Sequence, residues 1–267
     1  MVIRRIRQSA AEQNWFAVAL DLLILVIGVF LGMQANNWNQ ARLERQQEQS
    51  YRTRLIEDLR TNETDLQQRR AYYGQVRKHA LAALNALENS AGPADQQFLI
   101  DSYQATQIIP RTLTRFTYEE MLASGGVERI GGSDIRKHVK NYYAGIDTAE
   151  TTFRSTPPYR EHLRTVMPYA MQQRVRTNCR EVLGTGGSGE QMNVLPASCR
   201  LNADAVSIVQ AAEAVRASPS MKGDLTRHLI DLDLKLELFE LVGARARNLR
   251  RILEAKGGRV SEIRHDP

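Results

Sequence analysis

WFAVALDLLILVIGVFLGMQANNWN, residues 15–39, is the stretch on which the reading of this chain turns. Between Leu22 and Ala41 no side chain is charged. Phe16 to Ala35 supplies about 20 residues, which at 1.5 Å rise each match a hydrocarbon core of roughly 30 Å. Trp15 and Trp38 flank the run, where amphipathic indoles favour the membrane–water boundary. Arg4, Arg5 and Arg7 ahead of it would also suit a cleaved signal peptide. The length of the run, the interruption at Asp21 and the lack of a small-x-small cleavage site favour an uncleaved anchor.

Laid out at 100° per residue, Asp21, Gly28, Gly32, Ala35, Asn36 and Asn39 fall within roughly a third of the helix circumference. Gly28-Val-Phe-Leu-Gly32 is a G-x-x-x-G, which lets two backbones approach closely in lipid. A carboxylate such as Asp21 costs about 2.5–3.5 kcal/mol at the centre of a membrane helix, less near its ends, and usually faces a partner. The face therefore predicts self-association or a membrane-protein partner. The plainer alternative is that glycine is common in such helices and Asp21, about one and a half turns from Trp15, snorkels to the headgroups.

Orientation is not decided by charge, because Arg42, Arg45, Arg52 and Arg54 follow the segment and nearly balance the three arginines before it. The two cysteines, Cys179 and Cys199, favour one side, since a disulfide persists only in an oxidising compartment. The expected topology is a single pass through a bacterial inner membrane, N-terminus cytoplasmic and body periplasmic. The expected division is a tail over 1–14, a membrane helix over 15–39, a helical domain over 40–257 and a flexible tail over 258–267. A cytoplasmic tail of about 14 residues leaves no room for an output domain, so a signal would have to pass through a membrane partner. The net charge of +6 and pI near 9.5 come from arginines spread among acids, a pattern of solvated helix faces rather than of a nucleic-acid surface.

Beyond the membrane segment the pattern is helical throughout, and the expected fold class is all-α. From Ala41 to Glu88 there is no proline and one glycine, Gly74, while Tyr51, Leu55, Leu59, Leu66, Tyr73, Val76, Ala80, Leu84 and Leu87 recur at near-helical spacing. The membrane helix is thus expected to continue into a stalk, over 100 Å long in all if unbroken at 1.5 Å per residue. Ser90-Ala-Gly-Pro93 ends it, with Pro93 placed to open the next helix, over about 94–108. Thr117-Tyr-Glu-Glu120 has the form of a capping box, and Gly125-Gly126 of a left-handed stop. Ser133 caps a helix to Phe153; Pro157-Pro158 opens one to about Leu183, with Pro168 as a kink. Ala203–Ala217 is short. The last helix, about Ser220 to Lys256, places Leu225, Leu229, Leu232, Leu236, Phe239, Val242, Ala246, Leu249 and Leu253 at steps of three and four. Its natural partner is the stalk, and Gly257-Gly258 is expected to end it.

Gly184-Thr-Gly186-Gly187-Ser-Gly189 formally matches G-x-G-x-x-G, but no strand precedes it and no helix opens on its last glycine, so a dinucleotide site is not expected. The irregular stretch 184–201 reads as a flexible bridge between Cys179 and Cys199. A disulfide there is the favoured reading, with two buried thiols or a redox or metal role as alternatives. Asn62-Glu-Thr64 is a glycosylation tripeptide of the kind that arises by chance.

From Asp21 to Leu59 the sequence reads DLLILVIGVFLGMQANNWNQARLERQQEQSYRTRLIEDL. It resembles a bacterial family of small single-pass membrane proteins, a domain of unknown function. That family has an acidic residue entering the membrane helix, then IG, then LQ-x-NNWN and a charged helix ending in RL-x-x-DL. Asp21, Ile27-Gly28, Gln34, Asn36-Asn37-Trp38-Asn39, Arg54-Leu55 and Asp58-Leu59 carry the match. Thr117-Tyr-Glu-Glu-Met-Leu…Gly125 is similar to the family's T-Y-E-E-L-x-S-S-G, and Asn141-Tyr142-Tyr143 to its N-Y-Y. Gly32 and Met33 depart from it, standing where the family more often has larger apolar residues or alanine. The resemblance implies a membrane protein with a helical domain and no particular activity.

Catalytic patterns are scarce. The five histidines, His79, His138, His162, His228 and His265, form no His-x-x-x-His. Arg227-His228…Asp231 sets a carboxylate one turn from an imidazole, more simply a solvated helix pair than an acid–base couple. Glu119 and Glu120 read as cap and surface. No nucleophile elbow or P-loop appears, so no catalytic, cofactor or metal residue is assigned and no enzyme is expected. The expected function is a membrane-anchored helical interaction protein: scaffold, accessory subunit or sensing adaptor. The alternative is a tethered small-ligand binder or enzyme with a site between bundle helices near Tyr118, His138, Tyr142 and Tyr143, where aromatic and titratable groups concentrate.

Overall fold

The structure, a computed structural model, describes residues 15–89, 95–185 and 191–262; the side chains of 15–19, 21 and 256–262 lie outside that description. The tail 1–14, the Ser90–Pro93 break, Gly186, Gly187 and Gly189, and the end of the chain from 263 fall outside it as well. Two compact units divide after Tyr51, and helix α1, Trp15–Glu88, contributes to both.

In the first unit, every described side chain from Leu20 to Gln47 is exposed. One helix among the described residues is long and apolar enough to cross a membrane, and this is its apolar part. A row of bare Leu, Ile, Val and Phe side chains is costly in water, at roughly 25 cal/mol per Å² of apolar surface left uncovered.

The second unit contains the rest of α1 followed by α2 (Asp95–Gln104), α3 (Phe116–Ser124), a short 3-10 turn (Gly126–Arg129) and α4 (Ser133–Phe153). After these come α5 (Pro158–Val166), α6 (Tyr169–Asn178), strands β1 (Val182–Thr185) and β2 (Gln191–Val194), α7 (Ala205–Ala217) and α8 (Met221–Glu262). The fold is all-α apart from one two-stranded antiparallel sheet.

Residues 52–88 of α1 run antiparallel to α8. Arg60 meets Glu254 at 3.0 Å, Arg250 meets Glu63 at 2.7 Å and Arg70 meets Glu240 at 3.5 Å. Tyr73 packs on Phe239 with ring centres 5.4 Å apart, Arg77 pairs with Asp233, and Lys222 reaches Glu88 at 3.0 Å. One number of each pair rises as the other falls, as it must when two helices lie head to tail. The seam is the two apolar stripes read from the sequence. Leu55, Leu59, Leu66, Val76 and Ala80 are buried on one helix, and Leu225, Leu232, Phe239, Val242, Ala246, Leu249 and Leu253 on the other. Helices α4 and α5 pack on α8, with Phe153 stacked on Phe239 at 4.5 Å, and α2 packs on α7.

Several boundaries differ from expectation. Helix α2 stops at Gln104, short of Ile108, and α4 begins at Ser133 itself, with Gly132 at the cap position. Pro168 ends a helix instead of kinking it: α5 closes at Val166 and α6 opens after Pro168. The break is stabilised by Gln172, whose Nε2 donates to the Arg164 carbonyl (2.9 Å), left without an amide by Pro168, and to the Met167 carbonyl (2.7 Å). At the far end α8 continues through Gly257-Gly258 to Glu262, since a glycine in a helix costs only about 1 kcal/mol.

The stretch read as a flexible bridge contains a β-hairpin, Val182 opposite Val194 and Gly184 opposite Met192. Gly184 is needed there, because a Cβ would lie 2.5 Å from Val194 Cγ2. The hairpin is fastened to α1: Gln68 Nε2 donates to the Gln191 carbonyl at 3.0 Å, Tyr72 Oη to Glu181 at 2.5 Å, and the Leu195 amide to Gln75 at 2.8 Å.

Candidate functional site

Three places deserve the name of candidate site: the exposed face of the apolar segment, the junction of α1, α3 and α4, and the cleft between α4 and α8. In the first, Gly28, Gly32, Ala35, Asn36 and Asn39 all lie within the helix and are exposed. A Cβ built on Gly28 or Gly32 would meet nothing within 4 Å, so both glycines leave the backbone open to an approaching chain. Asp21 is helical, and its carboxylate lies outside the described side chains.

The second place gathers the segments singled out in the sequence. Asn62 is fully buried and its amide is divided between two elements. Its Oδ1 accepts from the Thr114 amide at 2.7 Å, while Nδ2 donates to the Thr114 carbonyl at 2.9 Å and to Tyr142 Oη at 3.3 Å. One turn earlier, Asp58 accepts from the Thr117 amide at 2.9 Å. One turn before that, Arg54 grips both oxygens of Glu120, at 2.5 and 3.1 Å. Tyr118 stacks flat on Tyr143 at 4.0 Å.

The capping-box reading of Thr117 and Glu120 is corrected by this geometry. Arg115 occupies the cap position without a side-chain bond, Thr117 is inside the helix and buried, and the first-turn amide takes its acceptor from Asp58 on α1. Glu120 is drawn outward to Arg54. The left-handed stop stands, with Gly125 at φ 66°. Burial of Asn62 also leaves its N-x-T tripeptide without access for a glycan.

Of the four pocket residues expected from sequence, Tyr118 and Tyr143 are spent on one another. His138 and Tyr142 line a cleft of about 520 Å³ between α4 and α8, which Arg245 and Asn248 enter from the other side. Burial raises the pKa of Tyr142 and Tyr143 above the ordinary tyrosine range, so both stay protonated as hydrogen-bond donors or acceptors. His138 Nδ1 bonds the Asp134 carbonyl at 2.7 Å, and no carboxylate lines the cleft to make an acid–base pair with it. A larger depression of about 660 Å³ runs between α1 and α8, where Glu240 pairs with Arg70 across it and with Arg247 along α8.

Sequence reasoning missed a polar relay. His162 Nδ1 lies 2.7 Å from Asp224 Oδ2, and its Nε2 lies 2.8 Å from Ser218 Oγ. The order is that of a Ser-His-Asp triad, yet neither adjoining amide can stabilise an oxyanion. Pro219 has no N–H, and the Ser218 amide donates to Val215. The relay ties the ends of α5, α7 and α8 together. No local pattern links the three, since His162 lies 56 residues from Ser218 and 62 from Asp224. His228 does not pair with Asp231: its Nε2 donates to the Ala105 carbonyl at 2.8 Å, its ring stacks on Tyr159, and burial lowers its pKa.

Cys179 and Cys199 stand at disulfide distance, with Cα atoms 5.6 Å apart. Among the described residues no group of three His, Cys, Asp or Glu side chains converges on a metal-sized site. Compared with known protein families, with curated proteins and with solved structures, the chain finds no match.

Proposed function

We propose that this chain is a single-pass membrane protein that works by contact, as a scaffold, accessory subunit or sensing adaptor. Its apolar helix docks a second membrane-spanning helix, from another copy of the chain or from a partner protein. The observation that carries the reading is one-sidedness. Gly28, Gly32, Ala35, Asn36 and Asn39 share a face on a helix whose described side chains there are all exposed, and small residues allow the close backbone approach that drives helix association in lipid. The kinship suggested by the Asp21–Leu59 stretch belongs to the same reading.

The proposed setting is a bacterial inner membrane, N-terminus inside and helical body on the extracytoplasmic side. The Cys179–Cys199 pair supports that side, because cytosolic thiols are kept reduced. A reporter that is active only outside the cytoplasm, fused at the C-terminus, tests the compartment; an inactive, well-expressed fusion overturns it. Contact is tested by affinity capture in mild detergent. Wild type is expected to bring down a second tagged copy or a discrete membrane protein, Gly28→Leu with Gly32→Leu to lose it, and Phe30→Leu on the opposite side to keep it. Recovery of wild type as a bare monomer overturns the proposal.

A further inference from the structure

Four arginines meet in a cavity of about 420 Å³ bounded by α2, α5, α6 and the turn after Cys179. Arg160 and Arg164 are one turn apart on α5; Arg176 and Arg180 are similarly spaced at the end of α6. Like charges at this spacing repel even on an exposed helix. The only acid in the lining is Glu181, whose two oxygens already accept from Tyr72 and Asn193.

Elsewhere in the second unit Arg54, Arg60, Arg77, Arg115, Arg216 and Arg250 each pair with a carboxylate. None of the four cavity arginines has such a pair among the described residues. Two of them are held in place by neutral groups. Arg164 donates to Tyr103 Oη and to Thr106 Oγ1, both at 2.9 Å, and lies over the Tyr103 ring at 4.1 Å. Arg160 donates to the Thr106 carbonyl. Arg164 Nε is buried with no hydrogen-bond partner among the described residues. Burial, and then the charge of Arg164, pull the pKa of Arg160 below the ordinary arginine value, as expected where positive charge is gathered without an anion. Arg176 and Arg180 are exposed and reach the same space from the rim.

Guanidinium groups are planar forks that match the oxygens of phosphates and carboxylates. The cavity is several times the size of a single inorganic oxyanion and falls within the range of small-molecule sites. We propose that it binds a small organic polyanion, a phosphate ester or a di- or tricarboxylate, held by Arg160 and Arg164 and closed over by Arg176 and Arg180. This site does not depend on what the membrane helix contacts, and it would give a contact protein something to sense.

Calorimetric titration of the full chain in detergent with pyrophosphate and with citrate, at low salt, tests the site. Saturable binding of either probe is expected. Pyrophosphate alone would indicate the phosphate-ester class, citrate alone the polycarboxylates, and both a site that accepts either oxyanion. The rim arginines make no bond to the described residues, so Arg176→Gln with Arg180→Gln should leave the unliganded melting temperature unchanged and weaken binding roughly tenfold or more. Arg227→Gln, a surface change on α8, should bind as wild type. Failure of both probes to saturate overturns the proposal. So does undiminished binding by the double variant, or an equal loss in Arg227→Gln, which would mark unspecific charge attraction.

Discussion

Asn62 divides its amide between the chain ahead of α3 and Tyr142 on α4, shut from water at zero exposure. Asn62→Ala would leave the Thr114 amide and carbonyl unpaired, at about 1–3 kcal/mol for each buried group. Chemical denaturation of the variant should show a loss of roughly 2–4 kcal/mol, and a loss below 1 would mean that the bonds do not hold the junction. Lys235 makes the opposite case, a buried charge 4.9 Å from the Tyr73 ring and without a paired carboxylate among the described residues. Burial brings its pKa down to about 8, against the partial support of Asp231. The folded pKa lies below the ordinary value near 10.4, so the unfolded chain binds more protons between about pH 8 and 10.5. Stability therefore rises with pH through that window, while below pH 8 both states are charged and the cost of burial is carried in full. Lys235→Met should be more stable than wild type at pH 7. Thermal melts from pH 7 to 10.5 should show that advantage shrinking by up to roughly 3 kcal/mol; a constant difference would contradict the burial of charge.

Among the elements, α3 depends on a cap that lies 59 residues away. Asp58→Ala should cost about 1 kcal/mol through the lost N-terminal acceptor. Arg54→Ala should cost less, because the Arg54–Glu120 pair is 44% and 50% exposed and such pairs contribute little. Equal losses in denaturation midpoints would reverse that ranking. The same helix shows what sequence can and cannot convey. Gly125, the Pro157-Pro158 start and the stripes from Leu55 to Ala80 and Leu225 to Leu253 are local signals, and they placed the helices and the pairing of the stalk with the last helix. Thr117 and Glu120 satisfied a local rule and were claimed by α1 instead, because the better acceptor came from tertiary packing. The β-hairpin was hidden for a related reason: its strands are only four residues each, largely exposed, and are held by Gln68, Tyr72 and Gln75 from outside. The Ser218–His162–Asp224 relay and the arginine cavity arise only once α5, α6, α7 and α8 pack.

For the molecule as a whole, the disulfide pair closes a loop of 20 residues that carries the hairpin. Replacing Cys179 and Cys199 with serine should lower stability by roughly 3 kcal/mol in the chain-entropy account, and a non-reducing gel should show wild type running ahead of the variant. Unchanged mobility and stability would remove the bridge and the argument for compartment with it. The larger claim is the proposed one, that the apolar segment of α1 lies in a membrane with one side to lipid and the other to protein. A photo-crosslinking amino acid placed at Ala35, and separately at Phe30 on the opposite side, reads this directly in intact membranes. The account predicts a discrete protein adduct from position 35 and lipid adducts only from position 30. Equal protein adducts from both positions, or none from position 35, would contradict it.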